Sequence, residues 1–306
     1  MALVTRLKRA YDTGGIGEIF RKAFYYPIYK VNGYFTALAV KLSRPKYGLN
    51  RKEARGEAVV VSLTSYPARF STLPLTLKSL LRQNRKPDRL IVWLGSDTAE
   101  EDITPAMREL EKYGVEYRID PEHNYKSHKK YYYAMREFPD ALTVTADDDL
   151  FYPKNWLKTL LKGHKKYPDC VICRRTHLIR RDENGILPYN LWVDQCRSVK
   201  RPSFSLVGTS GSGKLYPPHA LDERALDPDA FMKLCVNADD LWVKCMEILA
   251  GRKAVFVRNW KVDLRSPRES QRETLETGNV GRGENDLFLK QTMDAYGIAP
   301  DDFFRA

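Results

Sequence analysis

The sequence has no long hydrophobic run and few cysteines or histidines for its length. No stretch approaches the ~18 consecutive apolar residues of a membrane-spanning helix, since the longest candidate, Tyr34 to Val40, ends at Lys41. The basic start is not followed by the apolar region and cleavage site of a signal peptide, so we expect none. The five cysteines therefore predict free thiols in a reducing cytosol rather than a disulfide framework.

Positive charge is in excess, but it is unevenly distributed. The 306 residues carry a net charge of +12, and residues 1–55 alone contain twelve Lys or Arg against three Asp or Glu, a net +9. The other 251 residues carry only +3. A nucleic-acid-binding protein would carry its charge on the folded domain, so this class is disfavoured. The distribution instead predicts an anionic partner for the N-terminal segment.

Apolar residues recur at helical spacing through residues 1–45 and predict short amphipathic helices with Lys and Arg on their polar faces. This composition is typical of helices that lie on an anionic membrane surface. The alternative is that the helices pack on the rest of the chain or on a second copy, as in a homodimer. We therefore predict a basic amphipathic segment over residues 1–56, with a linker from Lys46 to Gly56, and a folded domain over residues 57–306.

From residue 57 onward, short apolar runs alternate with helical stretches. The predicted strands are Glu57–Leu63, Arg89–Leu94, Val115–Ile119 and Ala141–Ala146, and the predicted helices are Leu73–Gln83, Pro105–Tyr113, Lys129–Phe138, Trp156–Lys162 and Glu284–Tyr296. This alternation predicts an α/β domain with a mostly parallel central sheet covered by helices on both faces. Ligands of such sheets bind at the carboxyl ends of the strands, so functional residues are expected directly after each strand.

Three consecutive carboxylates, Asp147, Asp148 and Asp149, follow the fourth predicted strand. Adjacent carboxylates repel one another unless a cation or a hydrogen-bond network offsets their charge. A hard divalent cation such as Mg²⁺ or Mn²⁺, which prefers oxygen ligands, would suit them. The alternative is a solvated acidic turn that caps the next helix.

The order of these motifs resembles that of the nucleotide-sugar-dependent glycosyltransferases of the GT-A fold, which is Rossmann-like, with the three aspartates in the place of the Asp-x-Asp motif. The resemblance implies that Asp149 binds the metal together with Asp147, and that Asp147 and Asp148 contact the ribose. It implies further donor-binding residues after the first three strands, namely Thr64, Ser65, Tyr66, Arg69, Asp97, Lys126, Ser127 and Lys130.

The second half of the chain would then hold the acceptor. In inverting members a Gly-rich strand, here within Ser205 to Gly213, is followed by an acid pair, here Asp239 and Asp240. The resemblance implies that Asp240 is the general base, with Asp239 beside it. A carboxylate suits this task if partial burial raises its pKa toward the working pH. The alternative is that both acids only stabilise a helix N-terminus.

Two features of the second half depart from known motifs. No histidine follows His219 to complete the metal site, so Asp263, Asn279 or Asn285, or the pyrophosphate and water, would have to serve. The segment from Gly208 to Leu215 nearly matches a phosphate-binding P-loop, but it has Leu where Ser or Thr is required.

These observations predict a metal-dependent enzyme that transfers a sugar, with inversion, from a nucleotide-sugar donor, with UDP expected, to a hydroxyl of a lipid-linked or polysaccharide acceptor. The setting implied by the resemblance is bacterial surface-polysaccharide assembly on the inner, cytoplasmic face of the cell membrane. The alternatives are a nucleotidyltransferase, which would release pyrophosphate, and a non-catalytic binding module on a degenerate version of the same fold.

Overall fold

A computed structural model describes residues 34–51, 55–257 and 283–305, together with the isolated positions Ile16, Ile19, Phe20, Ala23, Phe24 and Val31. Residues 34–41 are helical. Most of the amphipathic helices predicted over residues 1–45 lie outside the described residues and stay a prediction. Within the described part of the chain, no helix has both the length and the apolar character needed to cross a membrane.

Eleven strands are formed by the described residues. They are β1 Val59–Thr64, β2 Arg89–Leu94, β3 Val115–Ile119, β4 Leu142–Thr145, β5 Val171–Cys173, β6 Thr176–Leu178, β7 Arg181–Asp182, β8 Gly185–Ile186, β9 Leu206–Gly208, β10 Lys214–Tyr216 and β11 Ala254–Phe256. The four strands predicted from the sequence are confirmed, with ends that differ by two residues or fewer.

The central sheet has seven strands in the order β11-β5-β10-β4-β1-β2-β3. Strand β10 runs antiparallel to both of its neighbours, and all other pairs in this sheet are parallel. The predicted mostly parallel α/β architecture is therefore confirmed. Because β1 to β5 and β11 run the same way, their carboxyl ends meet at one edge of the sheet, where ligands bind in folds of this kind.

Seven helices can be described outside the N-terminal segment: α1 Leu73–Leu81, α2 Pro105–Glu111, α3 Lys129–Glu137, α4 Trp156–Lys166, α5 Pro228–Leu234, α6 Asp239–Leu249 and α7 Glu284–Tyr296. Helix α2 begins where the sequence predicts, because Pro105 occupies its first turn and the Thr104 hydroxyl accepts a hydrogen bond from the Met107 amide.

Two large hydrophobic clusters hold the helices to the sheet. In one of them, Leu73, Met107 and Trp156 of α1, α2 and α4 pack against β1, β2 and β4. In the other, which centres on Trp242 of α6 and Phe231 of α5, aromatic side chains of α3 are also buried. The sheet thus has its two faces covered, and its strand ends are left for the functional residues.

Part of the predicted linker is packed on the domain rather than free. The Gly48 amide donates to the Tyr113 carbonyl over 2.8 Å, and the Asn50 amide donates to the Pro87 carbonyl over 2.8 Å. The Asn50 side chain also donates to Asp88 over 2.8 Å. The polar composition of Lys46 to Gly56 suggested a solvated linker, but its backbone and its polar side chains bond to the loops between the strands. The boundary at residues 56 and 57 stays a prediction.

Candidate active site

The three aspartates lie where the sequence places them, directly after β4. The Tyr152 side chain fixes the first of them, since its hydroxyl accepts a hydrogen bond from the Asp147 amide over 2.8 Å. The same hydroxyl donates to the Gly211 carbonyl over 3.2 Å. A single buried tyrosine therefore joins the acidic motif to the loop between β9 and β10.

A buried lysine connects the two acidic motifs of the sequence. The Lys130 ammonium lies 3.1 Å from Asp147 and 3.0 Å from Asp239, and only 7% of its side chain is exposed. Burial alone would lower its pKa, but the neighbouring carboxylates, Asp147 and Asp239 foremost, outweigh burial and raise the pKa well above its ordinary value. Lys130 was predicted to bind the donor; in the structure its partners are carboxylates.

The loop after β1 is attached to the acidic motif by the second aspartate. The Ser65 hydroxyl donates to Asp148 over 2.5 Å, and the Thr76 hydroxyl donates to the Asp148 carbonyl over 2.8 Å. Burial raises the pKa of the Asp148 carboxyl to about 6, against the opposing effect of the Ser65 hydrogen bond. Thr64, beside Ser65, donates its hydroxyl to the Trp93 carbonyl over 2.8 Å. The loop and the motif therefore form one unit.

The third aspartate has a cation as its partner. Arg69 donates to Asp149 over 3.0 Å, and its Nε contacts the Tyr66 hydroxyl at 3.2 Å. Both Tyr66 and Arg69 thus lie beside the acidic motif, at the place predicted for the donor. Sequence reasoning assigned Arg69 to the nucleotide and did not foresee its ion pair with Asp149.

The remaining predicted donor residues line the exits of β2 and β3. Asp97 and Lys126 are exposed, and Lys126 has a left-handed backbone conformation with φ of 50°. The Ser127 hydroxyl is buried and makes no hydrogen bond. Such an unsatisfied hydroxyl is uncommon in folded proteins and is compatible with a ligand contact. The structure therefore places all three on the side of the sheet that also carries the loop after β1.

Asp240 lies at the start of α6 and is held by three donors. Its Oδ1 accepts from Lys214 over 2.7 Å, from the Ser210 hydroxyl over 2.8 Å and from the Ser210 amide over 3.1 Å. Its Oδ2 has only a 3.3 Å contact with the same amide. One carboxylate oxygen is thus fixed, and the other is left with a weak contact.

The pKa of Asp240 is not raised, so the condition stated for a general base is not met by burial. Burial acts to raise it, but Lys214, Lys130 and the Ser210 hydrogen bond outweigh burial and hold the pKa of this carboxyl well below its ordinary value. The sequence could not reveal this, because Lys214 stood out only as part of the P-loop-like segment. In the structure this lysine begins β10 and is 1% exposed in its side chain.

The site carries an excess of negative charge. Five carboxylates gather here (Asp147, Asp148, Asp149, Asp239 and Asp240), and the cations paired with them are Lys130, Arg69 and Lys214. Two negative charges therefore remain uncompensated within this group. Among the described residues, no three acidic, histidine or cysteine side chains already converge as metal ligands. A divalent cation would thus need oxygens from a ligand to complete its coordination.

The described structure does not support Asp263, Asn279 or Asn285 as additional metal ligands. Asp263 and Asn279 lie outside the described residues. Asn285 is buried at the start of α7, and no contact to the acidic motif is found for it in the described part of the chain. Sequence reasoning also missed Tyr152 and Ser210. The sequence indicated these two residues only by their positions, since Tyr152 follows the acidic triplet and Ser210 lies in the Gly-rich segment.

The domain has an α/β fold whose central sheet contains one antiparallel strand. It carries an acidic triplet after β4 and an acid pair at the start of α6. These features are those of the nucleotide-sugar-dependent glycosyltransferases of the GT-A fold. A family comparison agrees, since the model for "Glycosyl transferase family 2" matches residues 61–216. The chain belongs to this family and is a glycosyltransferase that uses a nucleotide-sugar donor. The resemblance stated from the sequence is confirmed, and both alternative functions are disfavoured.

Two solved structures are distantly similar. A mannosyltransferase, PcManGT from Pyrobaculum calidifontis in complex with GDP-Man and Mn²⁺, shares 12% identity, with 91% of this chain and 84% of that chain covered and a TM-score of 0.44. An apo UDP-glucose pyrophosphorylase shares 10% identity, with 79% and 98% covered and a TM-score of 0.38. No curated protein matches the sequence. The family match carries the assignment.

Proposed function

We propose that this glycosyltransferase moves a sugar from a nucleotide diphosphate, with UDP expected, to a hydroxyl of a lipid-linked or polysaccharide acceptor, with inversion at the anomeric carbon. The observation that carries the proposal is the Lys130 ammonium, which lies 3.1 Å from Asp147 and 3.0 Å from Asp239. Through this lysine, Asp147, which is expected to contact the donor, and the start of α6, which carries the proposed general base, lie together at one edge of the sheet.

The acidic motif suits a divalent cation, Mn²⁺ or Mg²⁺. Its donor atoms are carboxylate oxygens, which such cations prefer, and the site has two uncompensated negative charges. We propose Asp149 and Asp147 as the ligands. Asp147 Oδ1 bonds to Lys130 and Asp149 Oδ2 to Arg69, so the second oxygen of each carboxylate is the natural ligand atom. When bound, the cation would neutralise the diphosphate and make it a better leaving group.

Asp240 is the proposed general base, acting through Oδ2. The acceptor oxygen forms a bond to the anomeric carbon while the bond from that carbon to the phosphate oxygen breaks. The nucleoside diphosphate leaves with the electron pair, and the hydroxyl proton passes to Oδ2. Because the pKa of Asp240 is depressed, its carboxylate is ionised at neutral pH. It becomes an effective proton acceptor once bond formation has acidified the hydroxyl.

The polar side chains beside the motif have positioning roles in this proposal. Lys214 and Ser210 hold Oδ1 of Asp240, which orients Oδ2. Ser65 links the loop after β1 to Asp148 and so orders the donor side. Tyr66, Asp97, Lys126 and Ser127 are proposed to contact the nucleotide. Each is placed at a strand exit on that side of the sheet.

The experiment that tests the reaction is a product assay over a panel of nucleotide sugars with Mn²⁺ or Mg²⁺. We expect release of a nucleoside diphosphate, seen by anion-exchange chromatography, and loss of that release with EDTA. Formation of a nucleoside triphosphate and a sugar 1-phosphate when pyrophosphate is added to the same nucleotide sugars would indicate a nucleotidyltransferase instead. No turnover with any donor, together with no metal-dependent nucleotide binding, would exclude the proposed enzyme.

We further propose that the N-terminal segment binds the inner, cytoplasmic face of a bacterial membrane, where a lipid-linked acceptor would be presented. Among the described residues, ten large apolar side chains are exposed, and eight of them belong to this segment: Ile16, Phe20, Phe24, Val31, Tyr34, Phe35, Leu38 and Leu42. The segment also carries most of the net positive charge. Apolar side chains beside Lys and Arg are what an anionic membrane surface binds.

The matched test uses liposome flotation. Replacing Phe20, Phe24 and Phe35 together by Ser should weaken binding to phosphatidylglycerol vesicles, because aromatic area is lost without a change of charge. Leu191→Ser, which removes an exposed apolar side chain of the folded domain, is the control. Equal binding by the triple variant would contradict membrane contact. A change from dimer to monomer would instead show that a second copy covers these side chains.

A further inference from the structure

Three arginines line a small cavity on the side of the active site away from the donor. Arg174, Arg175 and Arg197 border a cavity of about 20 Å³ that opens to solvent and is completed by Thr176, Gln195, Cys196 and Phe256. Arg174 and Arg175 directly follow β5. Strand β5 lies beyond β10 from the acidic motif, whereas β1, β2 and β3 lie on the opposite side. The cavity is thus on the acceptor side of the sheet.

Arg174 is a buried cation without a partner. It is only 6% exposed, and its Nε and Nη1 make no hydrogen bond. In the part of the chain that the structure describes, no carboxylate forms an ion pair with it. Burial lowers the pKa of Arg174 to about 10, so the side chain is still charged at neutral pH. An unpaired buried guanidinium is costly and calls for an anionic ligand.

The cavity adjoins the acidic motif through Arg175. The Arg175 Nε donates to the Thr209 hydroxyl, next to the loop that holds Asp240. A Cβ placed on Gly211 would lie 2.7 Å from Arg175 Nη2 and 3.1 Å from Asp147 Oδ2. The arginine and the aspartate therefore flank the same glycine. The cavity therefore borders the acidic motif through Arg175.

We propose that Arg174, Arg175 and Arg197 bind a phosphate group of the acceptor. Arginine suits this role because its planar fork donates two parallel hydrogen bonds to one phosphate. The cavity is far too small for a nucleotide. This inference rests on the proposed function, since it assigns the β5 side of the site to the acceptor. It adds that the acceptor is anionic near the hydroxyl that reacts.

The test measures inorganic phosphate binding to the full chain by calorimetry, first alone and then with saturating UDP and Mg²⁺. We expect phosphate to bind in both cases, and Arg174→Gln to weaken its affinity at least tenfold. The phosphate affinity of Arg174→Lys, which keeps the charge but lacks the planar guanidinium, should lie between those of the wild type and Arg174→Gln. Arg252→Gln is the matched control, because Arg252 pairs with Asp169 at the surface.

A second measurement separates this role from a structural one. Without phosphate, Arg174→Gln should melt at a temperature equal to or above that of the wild type, because an unpaired buried charge is removed. Phosphate should then raise the melting temperature of the wild type but not that of the variant. Equal phosphate affinity in Arg174→Gln, or a large fall in its melting temperature without phosphate, would overturn the proposal.

Two further outcomes distinguish the sources of the phosphate. Competition between phosphate and UDP, with weaker UDP binding by Arg174→Gln, would assign the cavity to the donor diphosphate and overturn the acceptor assignment. Failure of UDP to bind the wild type would count against the proposed donor. It would leave the phosphate titration of the unliganded protein as the test of the cavity.

Discussion

Acidification should destabilise the domain through one buried histidine, His128. Its ring stacks on Phe231, with centroids 4.4 Å apart and planes 7° apart. Its Nδ1 lies 2.8 Å from the Tyr131 hydroxyl and its Nε2 lies 2.9 Å from the Cys235 carbonyl. A neutral ring satisfies both contacts, with Nε2 donating and Nδ1 accepting. A charged ring would place its charge in a fully buried environment, and this burial disfavours protonation.

The size of the effect follows from the pKa. Burial lowers the pKa of His128 from 6.5 to about 4; Asp239 and Asp240 act against this lowering, and Lys130 adds to it. A depressed pKa means that the unfolded chain binds the proton more readily, so stability is full above pH 6.5 and is lost as the pH falls toward 4. At pH 5 the loss from this group is about 2 kcal/mol.

The assay is urea denaturation of the wild type and His128→Gln at pH 8 and pH 5. Asp148, whose pKa is raised to about 6, changes stability in the opposite sense over this range, so the wild-type curve alone is ambiguous. The difference between the two proteins cancels that contribution. We expect the free energy of unfolding of the wild type, relative to that of the variant, to fall by about 2 kcal/mol between pH 8 and pH 5. A difference that is the same at both pH values would refute the argument.

Three further predictions concern the acidic groups. Asp149→Ala should abolish Mn²⁺-dependent nucleotide binding in calorimetry, while Asp169→Asn at the surface should leave it intact; unchanged affinity would exclude Asp149 as a ligand. Asp240→Asn should bind the donor normally but transfer sugar about 100-fold more slowly or worse, and wild-type turnover would exclude it as the base. Lys130→Met should lower the free energy of unfolding by about 3 kcal/mol, because Asp147 and the buried Asp239 lose their shared cation; an unchanged urea midpoint would contradict that bridge.

The local pattern of the sequence predicted the elements well. Strands β1 to β4 and the helices between them are confirmed, because each is encoded by its own apolar periodicity and by nearby turn residues. The acidic triplet was placed correctly for the same reason, since it follows β4 directly. Strand β10 was missed. It has three residues, and its antiparallel place between β4 and β5 depends on partners far away in the chain.

The features of the site that the sequence did not reveal have a common cause. The low pKa of Asp240 could not be foreseen, because the lysine that pairs with its carboxylate lies 26 residues away in the sequence. The ion pair of Arg69 with Asp149 was not foreseen either, because the two residues lie 80 positions apart in the sequence. The cavity beside Arg174 left no signal beyond an arginine doublet after a strand.

By itself, the sequence determined the alternation of strands and helices, the position of the acidic residues at strand ends and the separation of a basic N-terminal segment from a near-neutral domain. These properties depend on neighbours along the chain. Only the tertiary structure decided which charges face one another, as with Lys130 between Asp147 and Asp239, and which charge has no partner, as with Arg174. Pairing and burial depend on contacts between distant segments, and those contacts set the pKa values and the charge balance on which the chemistry depends.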